Sequence, residues 1–285
     1  MKSLYVHGYK GREKERLQDQ ADGLVELLHN DTSYPAGSVV LEVGCGVGAQ
    51  TLILARRSPN ARFVSIDISA ESIAEARRRA DSIGLTNVTF QQADVFSLPY
   101  QAASFDHIFV CFLLEHLTRP GEALTLLKRL LTEEGTITVI EGDHGSTFFY
   151  PDSISAHSAI ESLIKMQEQL GGNALIGRQL YPLMIEAGFG DVHVSPRMVY
   201  VDGSRPELAE AITRRTFTAM IEGVREAAVG AGLIGAECFD EGVKALYRAA
   251  EPDGVFCYTF FKAIARKNEA PGSPQEEFVS PQGPD

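Results

Sequence analysis

Residues 39–48 constrain this chain more than any other stretch. Val39-Val40-Leu41 is a short aliphatic run of the kind that forms a buried strand. Glu42 and Val43 end it, and Gly44-Cys45-Gly46-Val47-Gly48 opens a helical pattern over 49–57. Glycines at a strand-to-helix turn admit positive φ and let a ligand approach the backbone closely. The helix that follows presents N–H groups with no partner of their own. A second apolar run, 61–66, ends in Asp67, nineteen residues after Gly48. An acidic residue at that separation, on a strand tip, typically binds a pair of ribose hydroxyls. The combination points to a nucleoside-containing cofactor held at the edge of an α/β sheet.

The rest of the chain extends that sheet. Helix 70–83, with Ser69 as N-cap and Gly84 as its stop, precedes a strand over 87–92. A loop containing Pro99 leads to a strand over 105–112, and Pro120 starts a helix that runs to residue 131. A strand over 136–140 ends in Glu141-Gly142-Asp143-His144-Gly145. Such alternation predicts a doubly wound, mostly parallel sheet. Beyond it the pattern loosens. An extra helix is expected near 154–170 and a last crossover helix over 177–187. A strand interrupted by Pro196 follows over 192–201, reading as an edge or bulged strand. Residues 206–250 read as helices, and Val255–Ala265, rich in Phe and Tyr, as a strong final strand. Upstream, Leu17, Ala21, Leu24 and Leu28 make one apolar stripe on a helix over 12–29. The Pro-, Gly-, Ser- and Glu-rich stretch 268–285 has almost nothing to bury and is expected to be disordered.

Composition removes several function classes. A formal net charge of −12 is a poor match to the nucleic-acid backbone, so no nucleic-acid partner is expected. Cys45, Cys111, Cys238 and Cys257 show no C-x-x-C spacing, which argues against a zinc or redox motif and for reduced thiols. No apolar run is long enough to span a membrane, and residues 1–15 lack the apolar core of a signal peptide. A cytoplasmic protein without membrane association is the expectation.

The glycine turn alone satisfies the dinucleotide pattern and leaves NAD open. Three features favour another cofactor. Glu42 stands two residues before the first glycine, where a carboxylate would repel a pyrophosphate but attract a cationic amino-acid end. Asp94, in Gln92-Ala93-Asp94-Val95, is placed to accept a hydrogen bond from an adenine amino group. The final strands suit an antiparallel closure and not a second three-strand half.

In these residues the chain resembles the class I S-adenosylmethionine-dependent methyltransferases. Val40–Gly48 resembles their first motif, Ile66-Asp67-Ile68-Ser69 the acidic motif after the second strand, Ala93-Asp94-Val95 the adenine-contacting motif, and Phe105–Leu117 the fourth strand with its loop. The likeness is good over about 35–145 and looser in the final strands. It implies a Rossmann-like seven-stranded sheet with an antiparallel last strand, and helical insertions forming a lid. A cap segment (1–34), a catalytic domain (35–267) with insertions at 146–175 and 206–250, and a tail (268–285) are the expected organisation.

The resemblance assigns roles residue by residue, with S-adenosylmethionine as the cofactor. Gly44, Cys45, Gly46 and Gly48 would pack on it, and Glu42 would face its amino group. Asp67 would take the ribose hydroxyls and Ile68 would lie against adenine. Asp94 would take the adenine amino group, with Ala93 or Val95 donating a backbone N–H. Cys111 would line the methionine side, and Tyr9 and Gln18 could close over the cofactor from the N-terminal helix. No metal is expected.

Methyl transfer from a sulfonium needs alignment and a dry site above all, and a base only when the acceptor arrives protonated. Asp143 and His144, after the fifth strand, are the best candidates for acceptor contact or base. His116 reads as structural. Tyr150, His157, Met166, Phe217 and Met220 could line an acceptor pocket between the insertions. The expected activity is methyl transfer to a small organic acceptor through O, N or C. Alternatives are a protein or RNA methyltransferase, a non-catalytic binder, or an NAD(P)-binding protein; a homodimer is left open.

Overall fold

The computed structural model describes residues 24–267. Tyr9, Gln18, the first part of the 12–29 helix and the 268–285 tail lie outside the described residues.

Seven strands form one sheet: β1 (Val39–Val43), β2 (Arg62–Asp67), β3 (Val88–Gln92), β4 (Phe105–Cys111), β5 (Leu131–Tyr150), β6 (Phe189–Asp202) and β7 (Val255–Lys267). Their order is β3-β2-β1-β4-β5-β7-β6. Pairs from β3 to β5 are parallel, whereas β7 runs antiparallel to both β5 and β6. This is the Rossmann-like arrangement with an antiparallel closure. The chain reverses its direction of winding between β1 and β4, and the crevice beyond the carboxyl ends at such a point is where ligands bind in open α/β sheets.

Alternation along the strands sends neighbours to opposite faces. Val40, Phe109, Ile140, Phe256, Tyr258 and Phe260 belong to one core, beneath the helices of the C-terminal half. Leu41, Val43, Ile108, Val110, Ile137 and Val139 belong to the other, against α4 (Pro120–Leu130) and α6 (Leu180–Glu186). Proline cannot donate to a ladder, and Pro196 sits in β6, an edge strand with a register break between Gly190 and His193.

Two further helices flank the cofactor half. α2 (Ala49–Arg57) follows the glycine turn, and α3 (Ala70–Ser82) is capped by Ser69, whose hydroxyl accepts from the Ser72 N–H at 3.2 Å. Beyond β5, α5 (Ile154–Gln169) packs on α10 (Ala236–Arg248), which buries Phe239, Gly242, Val243 and Leu246 on one face. A side chain at Gly242 would meet the Ser155 carbonyl at 2.3 Å, so only glycine allows this approach. Between β6 and α10 lies a helical run containing a π-helix, Ala209–Thr218, that buries Ile212 and Phe217. π-Turns are uncommon and often border functional sites.

β5 differs from expectation. It continues past Ile140 to Tyr150, with a register break between Asp143 and Phe148 against β7. Residues 141–143 are therefore paired strand and not loop, and the irregularity falls at 144–147, because β7 supplies a hydrogen-bonding edge that the sequence near 140 cannot announce.

Candidate active site

The glycine turn is tied to β2. The N–H groups of Gly44 and Cys45 both donate to the Ile66 carbonyl, at 2.8 and 2.9 Å. Gly46 has φ 52°, and no atom of the described residues lies within 4 Å of where a Cβ would stand. Its backbone therefore faces open space, as a ligand cradle requires. Gly48 has a different constraint: at φ 80° its missing Cβ makes room for Ala76 of α3.

Three carboxylates border this turn. Glu42 is 2% exposed, and its Oε2 accepts the hydroxyls of Thr51 and Ser65, each at 2.6 Å. Burial, only partly offset by those bonds, lifts its pKa to about 7. Asp67 accepts the Gly46 N–H on Oδ2 at 2.9 Å and the Ser69 N–H on Oδ1 at 2.8 Å, and burial raises its pKa. Asp94 is exposed and accepts the Phe96 N–H. Ile68 is 52% exposed although apolar, as a surface meant for a flat ring would be. Cys111 and Cys45 are buried thiols whose pKa burial pushes well up, which disfavours the nucleophilic thiolate. Of the alternatives Ala93 and Val95, the Ala93 N–H already donates to the Asp67 carbonyl at 3.0 Å. Of the two N–H groups expected to reach adenine, Val95's remains. These positions fit an amino-acid-bearing nucleoside cofactor.

The second cluster lies beyond β4, β5 and β7. Phe112 takes the left-handed conformation at φ 54°, turning the chain sharply after β4. The short 3-10 turn Leu114–His116 follows. Glu115 is buried there, and Gln167 of α5 donates to both its carbonyl (3.0 Å) and its Oε2 (3.2 Å). His144 is also buried; its Nε2 lies 3.9 Å from Glu115 Oε2, and its Nδ1 2.7 Å from the Tyr258 hydroxyl. Burial, with Glu115 and Asp143 nearby, keeps that phenol protonated by raising its pKa well above the usual value. Phe217 stands edge-on to His144 and tilted on Tyr258, with ring centroids 6.2 and 5.6 Å apart. Gly142 is what lets Tyr258 sit there: a Cβ would meet the phenol oxygen at 2.3 Å.

Asp143 does not join His144. Adjacent strand residues face opposite ways. Asp143 is 2% exposed, and both its oxygens are held by Arg178 at 2.7 and 2.8 Å, with a further bond from the Gly145 N–H. A bidentate guanidinium thus engages both oxygens of this candidate. Tyr150 and His157 also leave the pocket. Tyr150 is 61% exposed, and His157 is at the surface, bonded to Asp152. Met166, Phe217 and Met220 are buried under the helical cover. Sequence reasoning assigned no role to Glu115, Glu141 or Tyr258: the first two show only polarity after a strand, and Tyr258 reads as one aromatic of a strong strand.

A family model described as a methyltransferase domain matches residues 35–188, more than half of the chain. The chain belongs to the S-adenosylmethionine-dependent methyltransferases. An uncharacterised protein of transposon TN4556 from Streptomyces fradiae is 30% identical over 190 residues, which are 66% of this chain and 54% of that protein. The match thus spans about half the length of that relative. The demethylmenaquinone methyltransferase of Thermus thermophilus is 26% identical over 187 residues, covering 55% of this chain and 82% of the enzyme. Among solved structures, the [4+2]-cyclase SpnF superposes with a TM-score of 0.54 at 22% identity, covering 89% of this methyltransferase-family chain and 82% of the cyclase. That likeness concerns the fold alone. No described helix is long and apolar enough to cross a membrane, and the described residues hold no group of three or more His, Cys, Asp or Glu set to bind a metal.

Proposed function

We propose that this methyltransferase acts on a small organic acceptor that arrives carrying a proton, and that Glu115 and His144 handle that proton. The observation behind this reading is the buried Glu115–His144–Tyr258 cluster, set beside the apolar face of Phe217 at the sheet's switch point. The acceptor named for the Thermus relative is likewise a small organic molecule.

When bound, S-adenosylmethionine supplies an electrophilic methyl on a sulfonium that is already a good leaving group. Glu42, Asp67, Ile68, Asp94 and the turn 44–48 would hold it, with Val95 donating to adenine and Cys111 walling the methionine side. The helical cover excludes water, which strengthens every polar contact beneath it. With the Tyr258 phenol donating to His144 Nδ1, the Nε2–H turns toward Glu115. Oriented by that N–H, the Glu115 carboxylate would take the proton that the acceptor atom sheds on methylation, and His144 keeps its own proton. The apolar lining from Met166, Phe217 and Met220 suits an aromatic or aliphatic acceptor.

Calorimetry on the full chain tests the first half: S-adenosylhomocysteine should bind and NADH should not. Binding of neither would overturn the cofactor reading. His144→Gln should lower kcat by about 10²- to 10⁴-fold, the usual worth of a proton-handling group, with S-adenosylhomocysteine affinity unchanged. The assay is label transfer from S-adenosylmethionine to a panel of small acceptors, and an unaltered rate would remove His144 from the chemistry.

A further inference from the structure

We propose that Glu141 is a positioning residue that works as a neutral acid: Oε1 grips the turn that carries Glu115, and Oε2 keeps its proton. The side chain has no exposed surface at all. Oε1 accepts the N–H groups of Leu113 (3.0 Å) and Leu114 (2.7 Å), and Oε2 has no hydrogen-bond partner among the described residues. An ionised oxygen left bare in an apolar wall is far more costly than a protonated one.

The groups that face Glu141 reinforce this. Glu115 approaches from the turn after β4, Cys111 from β4 itself and Tyr258 from β7. Asp143, two residues along the same strand, brings a second carboxylate, but its Arg178 partner is directed at Asp143. No cation pairs with Glu141 among the described residues. Burial and the Glu115 carboxylate both push its pKa well up.

The grip also matters mechanically. The turn begins at Phe112, whose left-handed backbone is unfavourable for a bulky residue. Two N–H bonds to one buried oxygen hold the chain there, and Glu115 follows directly. Glu141 lies on the strand face shared with Val139, away from His144, so it acts on the proton-handling pair from beneath. The importance of that pair rests on the proposed function; the neutral state of Glu141 does not.

The test needs no methyl acceptor. Urea unfolding of the full chain is followed from about pH 5 to about pH 9 for wild type, Glu141→Gln and Glu141→Leu. A carboxyl whose pKa is raised above its ordinary 4.5 binds more protons folded than unfolded, so its stability contribution falls as pH rises through that window. Glu141→Gln imitates the neutral acid. It should match wild type at the acid end and gain on it steadily with pH. The infrared carbonyl band of a buried protonated carboxyl should be present in wild type at neutral pH and absent from Glu141→Gln. Glu141→Leu should release the turn and shift the His144 titration seen by NMR, whereas Glu141→Gln should preserve it. Parallel stability curves for wild type and Glu141→Gln, or an unchanged infrared band, would overturn the neutral-acid state. An unmoved His144 titration in a folded Glu141→Leu would overturn the positioning role. A chain that failed to bind S-adenosylhomocysteine would sink the proposed function and leave these readings intact.

Discussion

Glu42 stands near the end of β1 and Glu141 midway along β5, with β4 between them, and both are buried carboxyls with raised pKa. Their surroundings differ. Glu42 receives two side-chain hydroxyls on Oε2, from Thr51 in the helix after the glycine turn and from Ser65 in the next strand. Glu141 receives two backbone N–H groups on one oxygen and nothing on the other. The first arrangement gives a carboxyl whose pKa is lifted to about 7 and whose Oε2 is held by two hydroxyls. The second holds a proton and fixes a turn. The cofactor half is thus built from local strand–turn–helix contacts, and the acceptor half from contacts between elements far apart in sequence.

Three changes probe that division, the largest first. Phe217→Ala removes a 4% exposed ring packed on Phe256, Tyr258 and His144. It should lower stability by about 3–5 kcal/mol in urea unfolding, while S-adenosylhomocysteine affinity stays the same. A parallel fall in affinity would mean that the two halves are not separable.

Glu42→Gln should abolish a pH slope. With the folded pKa near 7 against an ordinary 4.5, the folded state holds the extra proton between those values. Wild-type stability should therefore drop as pH rises across that interval, by something on the order of 3 kcal/mol, and level off above it. The variant should lose this part of the slope and keep the part owed to Glu141, whose pKa is also raised. If Glu42→Gln and Glu141→Gln do not each remove a separate part of the slope, the contrast between them fails.

Asp67→Ala should weaken S-adenosylhomocysteine binding by about 1–3 kcal/mol, the usual cost of losing a charged hydrogen-bond partner. It also frees the Gly46 and Ser69 N–H groups, so affinity is best compared with Asp67→Asn, which keeps one acceptor oxygen. An unchanged dissociation constant in both would deny Asp67 the ribose.

How much could be read in advance follows the same division. The glycine turn, Glu42, Asp67 and Asp94 were legible because each is a few residues from the strand end that places it, and the family resemblance added their roles. For the candidates Asp143 and His144 the sequence could not show that Arg178 holds the first and Tyr258 meets the second. Glu115 received no role because nothing within ten residues of it reveals Gln167 or His144 as its neighbours.

The sequence by itself determined the alternating sheet, the cofactor turn and the acidic residues around it, because hydrophobic period and turn chemistry act over short spans. Only the tertiary structure decided which buried carboxyl is paired, which is protonated and which meets a histidine. Those outcomes depend on β7 pairing with β5 and on α5 closing over β4, and the electrostatics of a buried carboxyl are set by what such distant elements bring beside it.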